Sequence, residues 1–138
     1  DVKMPIETEN GASVVLSGKV SSLSSEWKTC CIDAGGWTFE TPMASLAMGS
    51  QVRLRVLARD VSIAVEKPDS ISIRNRLQAE VEEIAAHLSE PAYQLVKLKC
   101  PNGEGRLVSR ILRQSVTELG LHPGSQVWAL VKASAVIM

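Results

Sequence analysis

The sequence predicts an all-β chain made of two tandem small OB-like β-barrel units with a short helix. Three observations predict it. Apolar residues recur at every second position in several short runs, which is the period of a half-buried strand. Turn signals such as Gly35-Gly36 and Pro101-Asn102-Gly103 separate those runs. Finally, Gly49-Ser50-Gln51-Val52 recurs as Gly124-Ser125-Gln126-Val127, a shift of 75 residues, and such a recurrence marks a duplicated unit. A handful of short strands per copy, with at most one short helix, suggests a small barrel of the OB kind. The expected division is a lead-in over 1–11, a first unit over 12–67 and a second over 68–138.

Residues 1–10 mix Pro, Glu and Lys with little periodicity and read as a linker. Ala12 to Val20 is rich in β-branched residues with Gly18 near its end, a strand with a bulge or bend. Lys28 to Asp33 and Trp37 to Thr41 flank the Gly-Gly turn as a hairpin. Pro42 to Gly49 is a connection, with a helical turn expected around Ala44-Ser45-Leu46. Gln51 to Ala58 is the clearest strand. Val52, Leu54, Val56 and Ala58 share its core face, and Arg53, Arg55, Leu57 and Arg59 its mostly basic one. A second apolar run, Val61 to Val65, stops before Pro68. From Leu77 to Leu88 the apolar residues Leu77, Val81, Ile84 and Leu88 have helical spacing, so local pattern alone reads amphipathic helix. Tyr93 to Cys100 and Gly105 to Ile111 form strands around the Pro-Asn-Gly turn. Leu112, Val116 and Leu119 mark a short helix with Gly120 placed to cap it. Val127, Ala129, Val131 and Ala133 alternate along the last strand.

Composition narrows the function. The 138 residues suffice for one compact domain or two very small ones. Lys plus Arg and Asp plus Glu are both 15, and aromatics are 4%. A neutral chain with few stacking platforms is a poor nucleic-acid binder. No apolar run approaches a membrane span and no signal peptide opens the chain. Its first residue is Asp1 rather than Met, which leaves a longer parent protein open. Cys30, Cys31 and Cys100 have no zinc-type spacing and read as reduced strand residues, in keeping with a cytoplasmic protein. His87 and His122 read as surface residues. No nucleophile–base set or phosphate-binding Gly-Lys-Ser/Thr loop is present, so catalytic residues, metal ligands and a cofactor are not expected.

The chemistry lies in Ser72-Ile73-Arg74-Asn75, just after the Pro68-Asp69-Ser70 turn. A hydroxyl and a guanidinium two residues apart on an extended segment face the same way and can grip a multi-oxygen anion. On these residues alone, a polar strand start whose arginine makes a surface ion pair explains the pattern more simply.

Three motifs in order, Ser72-x-Arg74-Asn75-x-Leu77, Ser115-x-x-x-Leu119-Gly120-Leu121-x-Pro123-Gly124 and Lys132-Ala133-Ser134-x-Val136-Ile137, resemble the molybdate-binding Mop (TOBE-type) domain family. The family includes the small molbindins and the regulatory tail of the molybdate importer's ATP-binding subunit. Leu57 to Ala64, followed by Pro68 and the Arg-Asn pair, looks most like that tail. The resemblance implies tandem OB-like units, and it makes Leu77 to Leu88 a long strand, the reading adopted here. It implies a molybdate or tungstate site built from Ser72, Ile73, Arg74, Asn75, Ser115, Lys132, Ala133 and Ser134. Leu112 stands where some relatives carry Thr. The site would straddle two copies of the chain, in a homodimer or higher oligomer. An upstream ATPase domain and membrane permease subunits would be the further partners, at the inner face of the cell membrane. A free-standing storage protein is the alternative, and an OB-type nucleic-acid module a weaker one. In the first copy Leu57, Ala58 and Arg59 stand opposite Lys132, Ala133 and Ser134, and no Arg-Asn pair exists there.

Overall fold

The computed structural model describes residues 12–43 and 45–138. The lead-in over 1–11 lies outside them, as does Ala44, the first residue of the expected helical turn; Ser45 and Leu46 are not helical. Strands β1 (Ser13–Ser24), β2 (Thr29–Ala34), β3 (Trp37–Pro42) and β4 (Gln51–Leu57) form one sheet in the order β3-β2-β1-β4. Strands β5 (Ser62–Ala64), β6 (Asn75–Ala86), β7 (Tyr93–Lys99), β8 (Arg106–Leu112) and β9 (Gln126–Val131) form a second, ordered β5-β9-β6-β7-β8. Every pairing is antiparallel. One helix, α1 (Arg113–Glu118), follows β8.

The alternation read from the sequence is the burial pattern. In β4, Leu54 and Val56 are buried while Arg53 and Arg55 are exposed. In β9, Val127, Ala129 and Val131 face the core. The Gly-Gly turn closes β2 on β3 with Ala34 opposite Trp37, and both glycines have positive φ, the mirror-image turn that matches strand twist. Gly120 ends α1 in the left-handed region. Its N–H donates to the Thr117 carbonyl and the Leu121 N–H to the Val116 carbonyl, while Val116 and Leu121 bury together.

The long segment after Asn75 is strand, as the resemblance implies, and the ladder explains its helical look. Asn75, Leu77, Ala79 and Val81 point inward at period two. A bulge between Val81 and Glu83 then shifts the register, so Ile84 takes the next inward place. The resulting spacing of four and then three imitates a helix. Leu88 belongs to no buried face and is exposed.

The duplication is physical. Gly49 and Gly124 both have positive φ and donate to Val20 and Val81, whose own N–H groups bond the Ser50 and Ser125 carbonyls. Val20 and Val81 are also where β1 and β6 bulge. After each copy's last strand comes a short 3-10 turn, Ala58–Asp60 or Ala133–Ala135. The chain then crosses to the other sheet. β5 pairs with β9, Ser62 opposite Leu130. In the same repeat position, Ile137 exchanges two backbone hydrogen bonds with Arg55 of β4, at 2.7 and 3.0 Å. Each copy thus lends its tail to its neighbour's sheet. One apolar core, running from Ile32, Phe39 and Leu54 to Val96, Leu98 and Leu107, spans both sheets.

The two halves also meet turn against turn. The Gly105 N–H donates to the Gly35 carbonyl at 2.8 Å. A Cβ at position 105 would sit 2.7 Å from that oxygen and 3.0 Å from the Gly35 Cα. Gly105→Ala should therefore cost about 1–3 kcal/mol through overpacking. Urea denaturation checks it, and an unchanged midpoint would show that the turns need not touch.

Candidate functional site

β3 is the edge of the first sheet, yet it does not end in solvent. It lies against the start of β6 and is tied there by side chains. Trp37 Nε1 donates to the Gln78 carbonyl at 2.7 Å. Asn75, 2% exposed, uses both ends of its amide on one peptide. Its Oδ1 accepts from the Glu40 N–H at 2.7 Å and its Nδ2 donates to the Glu40 carbonyl at 2.9 Å. The carboxamide therefore stands in for a strand partner and satisfies an edge that would otherwise be open.

That clamp fixes the neighbouring residue. Arg74 reaches the Glu40 carboxylate, Nε donating to Oε1 at 2.6 Å. The hydrogen bond, and then the charge, of Glu40 raise the Arg74 pKa above its already high ordinary value. The guanidinium is largely exposed, so its remaining N–H groups face solvent. The surface ion pair that was the simpler sequence reading does exist, and it coexists with an accessible donor fork.

The second motif arrives on β9. The β6–β9 ladder ends at Asn75 opposite Val131, so Arg74 and Lys132 are the next residues on adjacent strands. In the first sheet the corresponding pair is Ser13 opposite Leu57, neither of them a cation. Past the ladder, Ala133 starts a 3-10 turn held to β3 by Thr41, whose Oγ1 donates to the Ala133 carbonyl at 3.4 Å. Arg74 and Ala133 then line one cavity of about 420 Å³ with Trp27, Thr29 and Glu40. Ile73 and Lys132 line another, of about 200 Å³, with Arg59, Asp60 and Ser62. Within one chain the two cations line separate cavities.

The remaining expected site residues divide. Ser72, in a bend outside the strand, and Ser134, in the 3-10 turn, are both exposed. Ser115 sits on α1, which follows the Leu112–Tyr93 end of the second sheet, whereas Arg74 and Lys132 leave at the Asn75–Val131 end. The chain does not bring Ser115 to them. Glu40, Thr41, Trp27 and Thr29 were invisible to sequence reasoning, because only the β3–β6 contact brings them near. Among the described residues, no group of three or more His, Cys, Asp or Glu side chains could hold a metal ion, and no helix is long and apolar enough to cross a membrane.

A family model for the TOBE domain matches residues 71–138, which include both cationic motifs. Residues 71–138 thus resemble a TOBE domain. Proteins similar to this chain include the molybdenum import ATP-binding protein ModC of Brucella abortus, 42% identical over 137 residues. ModC of Methylococcus capsulatus is 31% identical over 134 residues. These alignments take in 99% and 97% of this chain but 37% of each relative, so the chain spans little more than a third of their length. Among solved structures it is similar to the cytoplasmic molybdate-binding protein ModG in a crystal form with molybdate bound. The TM-score is 0.75 at 28% identity, over 97% of both chains. The tandem OB-like architecture is thus shared beyond the TOBE segment.

Asn75→Ala should cost about 2–3 kcal/mol, because it strands the buried face of the Glu40 peptide. Thermal unfolding measures that loss, and a variant as stable as the parent would show that the clamp is dispensable.

Proposed function

We propose that the chain is the oxyanion-binding regulatory domain of a molybdate importer's ATP-binding protein. One observation carries the reading: the two cationic motifs, distant in sequence, end adjacent strands of one sheet, and their cations line separate cavities. Molybdate is a tetrahedral dianion with acceptor oxygens only, and it needs cations and N–H or O–H donors around it. Arg74 and Lys132 line separate cavities of one chain, so neither cavity of that chain carries both cations. A two-fold partner can bring them together, Arg74 of one copy meeting Lys132 of the other. The oxyanion would then sit between two chains, with Ser72, Ile73, Ala133 and Ser134 supplying donors. Asn75 would hold Arg74 in place rather than touch the ligand, and Ser115 would join only from a neighbouring copy. The likeness to ModC and to molybdate-bound ModG supports this ligand, with tungstate as the close analogue.

Binding across copies would favour one arrangement of the paired domains and so bias any ATPase domains attached to them. High cytoplasmic molybdate would thereby restrain import, with the domain at the inner face of the membrane beside the permease. The second reading is a free-standing molybdate-binding protein, favoured by the near-complete coverage of ModG. The higher identity to ModC weighs the other way. An effect of molybdate on ATP hydrolysis by the full transporter separates the two.

Calorimetry with molybdate and sulfate tests the site. Arg74→Ala should abolish molybdate binding. The pair with Glu40 is solvent-exposed and adds little to stability, so the variant should stay folded. Binding that survives the substitution contradicts the proposal.

A further inference from the structure

We propose that Glu40 is a built-in competitor in the Arg74 site, a carboxylate that sets how much free oxyanion is needed to fill it. The inference rests on the reading of Arg74 as an oxyanion ligand. Glu40 belongs to β3, in the unit that lacks the cationic motifs, yet its carboxylate takes the Nε donor of Arg74 at 2.6 Å. It also lines the cavity that Arg74 shares with Ala133. Its position is not adventitious. Its own N–H and carbonyl are both held by the Asn75 amide, so the backbone carrying the carboxylate cannot retreat from the guanidinium. Facing pairs along β3 and β2 put Glu40 opposite Cys31, leaving no second cation to share it on that strand.

The consequence is electrostatic. An incoming dianion meets two cations, one from each copy, and one fixed negative charge. It must either displace the Glu40 carboxylate from Nε or bind the outer N–H groups with that carboxylate nearby. Both routes weaken binding. A dianion and a carboxylate about 6 Å apart in a solvent-exposed site repel enough to change affinity about tenfold. The first unit, which lacks the cationic motifs, thereby tunes the site of the second.

The test is calorimetric titration of sodium molybdate into the parent chain, Glu40→Gln, Glu40→Ala and Arg74→Ala, at low and high salt. Glu40→Gln preserves shape and leaves the Asn75 clamp to the backbone intact. Both Glu40 variants should bind about tenfold more tightly than the parent at low salt, and the gain should shrink as salt screens the charge. A purely structural role would not produce that salt dependence. If Arg74→Ala loses binding but neither Glu40 variant tightens it, Glu40 is no competitor and the oxyanion site stands. If the parent binds no molybdate, or Arg74→Ala binds as the parent does, the site reading falls and the competitor with it.

Discussion

The structure depends on one buried amide. Asn75 ties the edge of the first sheet to the start of the long strand of the second by spending both its donor and its acceptor on the Glu40 peptide. An edge strand needs partners for its backbone groups, and here a side chain supplies them. The same contact sets what lies on either side. One residue before Asn75, Arg74 is brought within reach of the Glu40 carboxylate. One residue after Glu40, Thr41 catches the Ala133 carbonyl and so holds the turn that carries the second motif. The clamp is both a stability element and the frame of the candidate site.

The reciprocal exchange of tails gives that frame its rigidity. β5 completes the second sheet and Ile137 completes the first, so neither unit has its full set of strands alone. The duplication is faithful in its turns, bulges and crossovers, and it departs at the end of the β1–β4 and β6–β9 ladders. There one copy has Ser13 and Leu57, and the other Arg74 and Lys132. The scaffold is kept twice and the charge only once. Because the cations line separate cavities, the proposed site takes one from each of two copies, which would make oligomerisation part of ligand chemistry.

Much of this was legible in the sequence because it is local. β4 and β9 alternate strictly, Gly35-Gly36 and Gly120 sit where the backbone must turn left-handed, and the Gly-Ser-Gln-Val repeat marks equivalent turns. The strand β6 was ambiguous for a definite reason. Its bulge at Val81 moves the inward set by one residue, and a strand with a shifted register has the spacing of a helix. The anion-type residues of two motifs could be named from resemblance. Their environment could not. Glu40, Thr41 and Trp27 carry no local signal, and their place beside Arg74 follows from how β3 docks on β6. Ser115 shows the reverse: it stands in a recognisable motif, yet the topology sends it to the far end of the sheet.

The central claim is that one oxyanion is held by Arg74 of one copy and Lys132 of another. Mixing Arg74→Ala chains with Lys132→Ala chains tests it most directly, with molybdate uptake measured before and after subunit exchange. If the site is shared, each mixed pair rebuilds one intact site from its two unmutated cations. Binding should return to roughly a quarter of the parent's sites in a random two-fold mixture. A mixture as inactive as either variant alone, despite demonstrated exchange, would contradict the account.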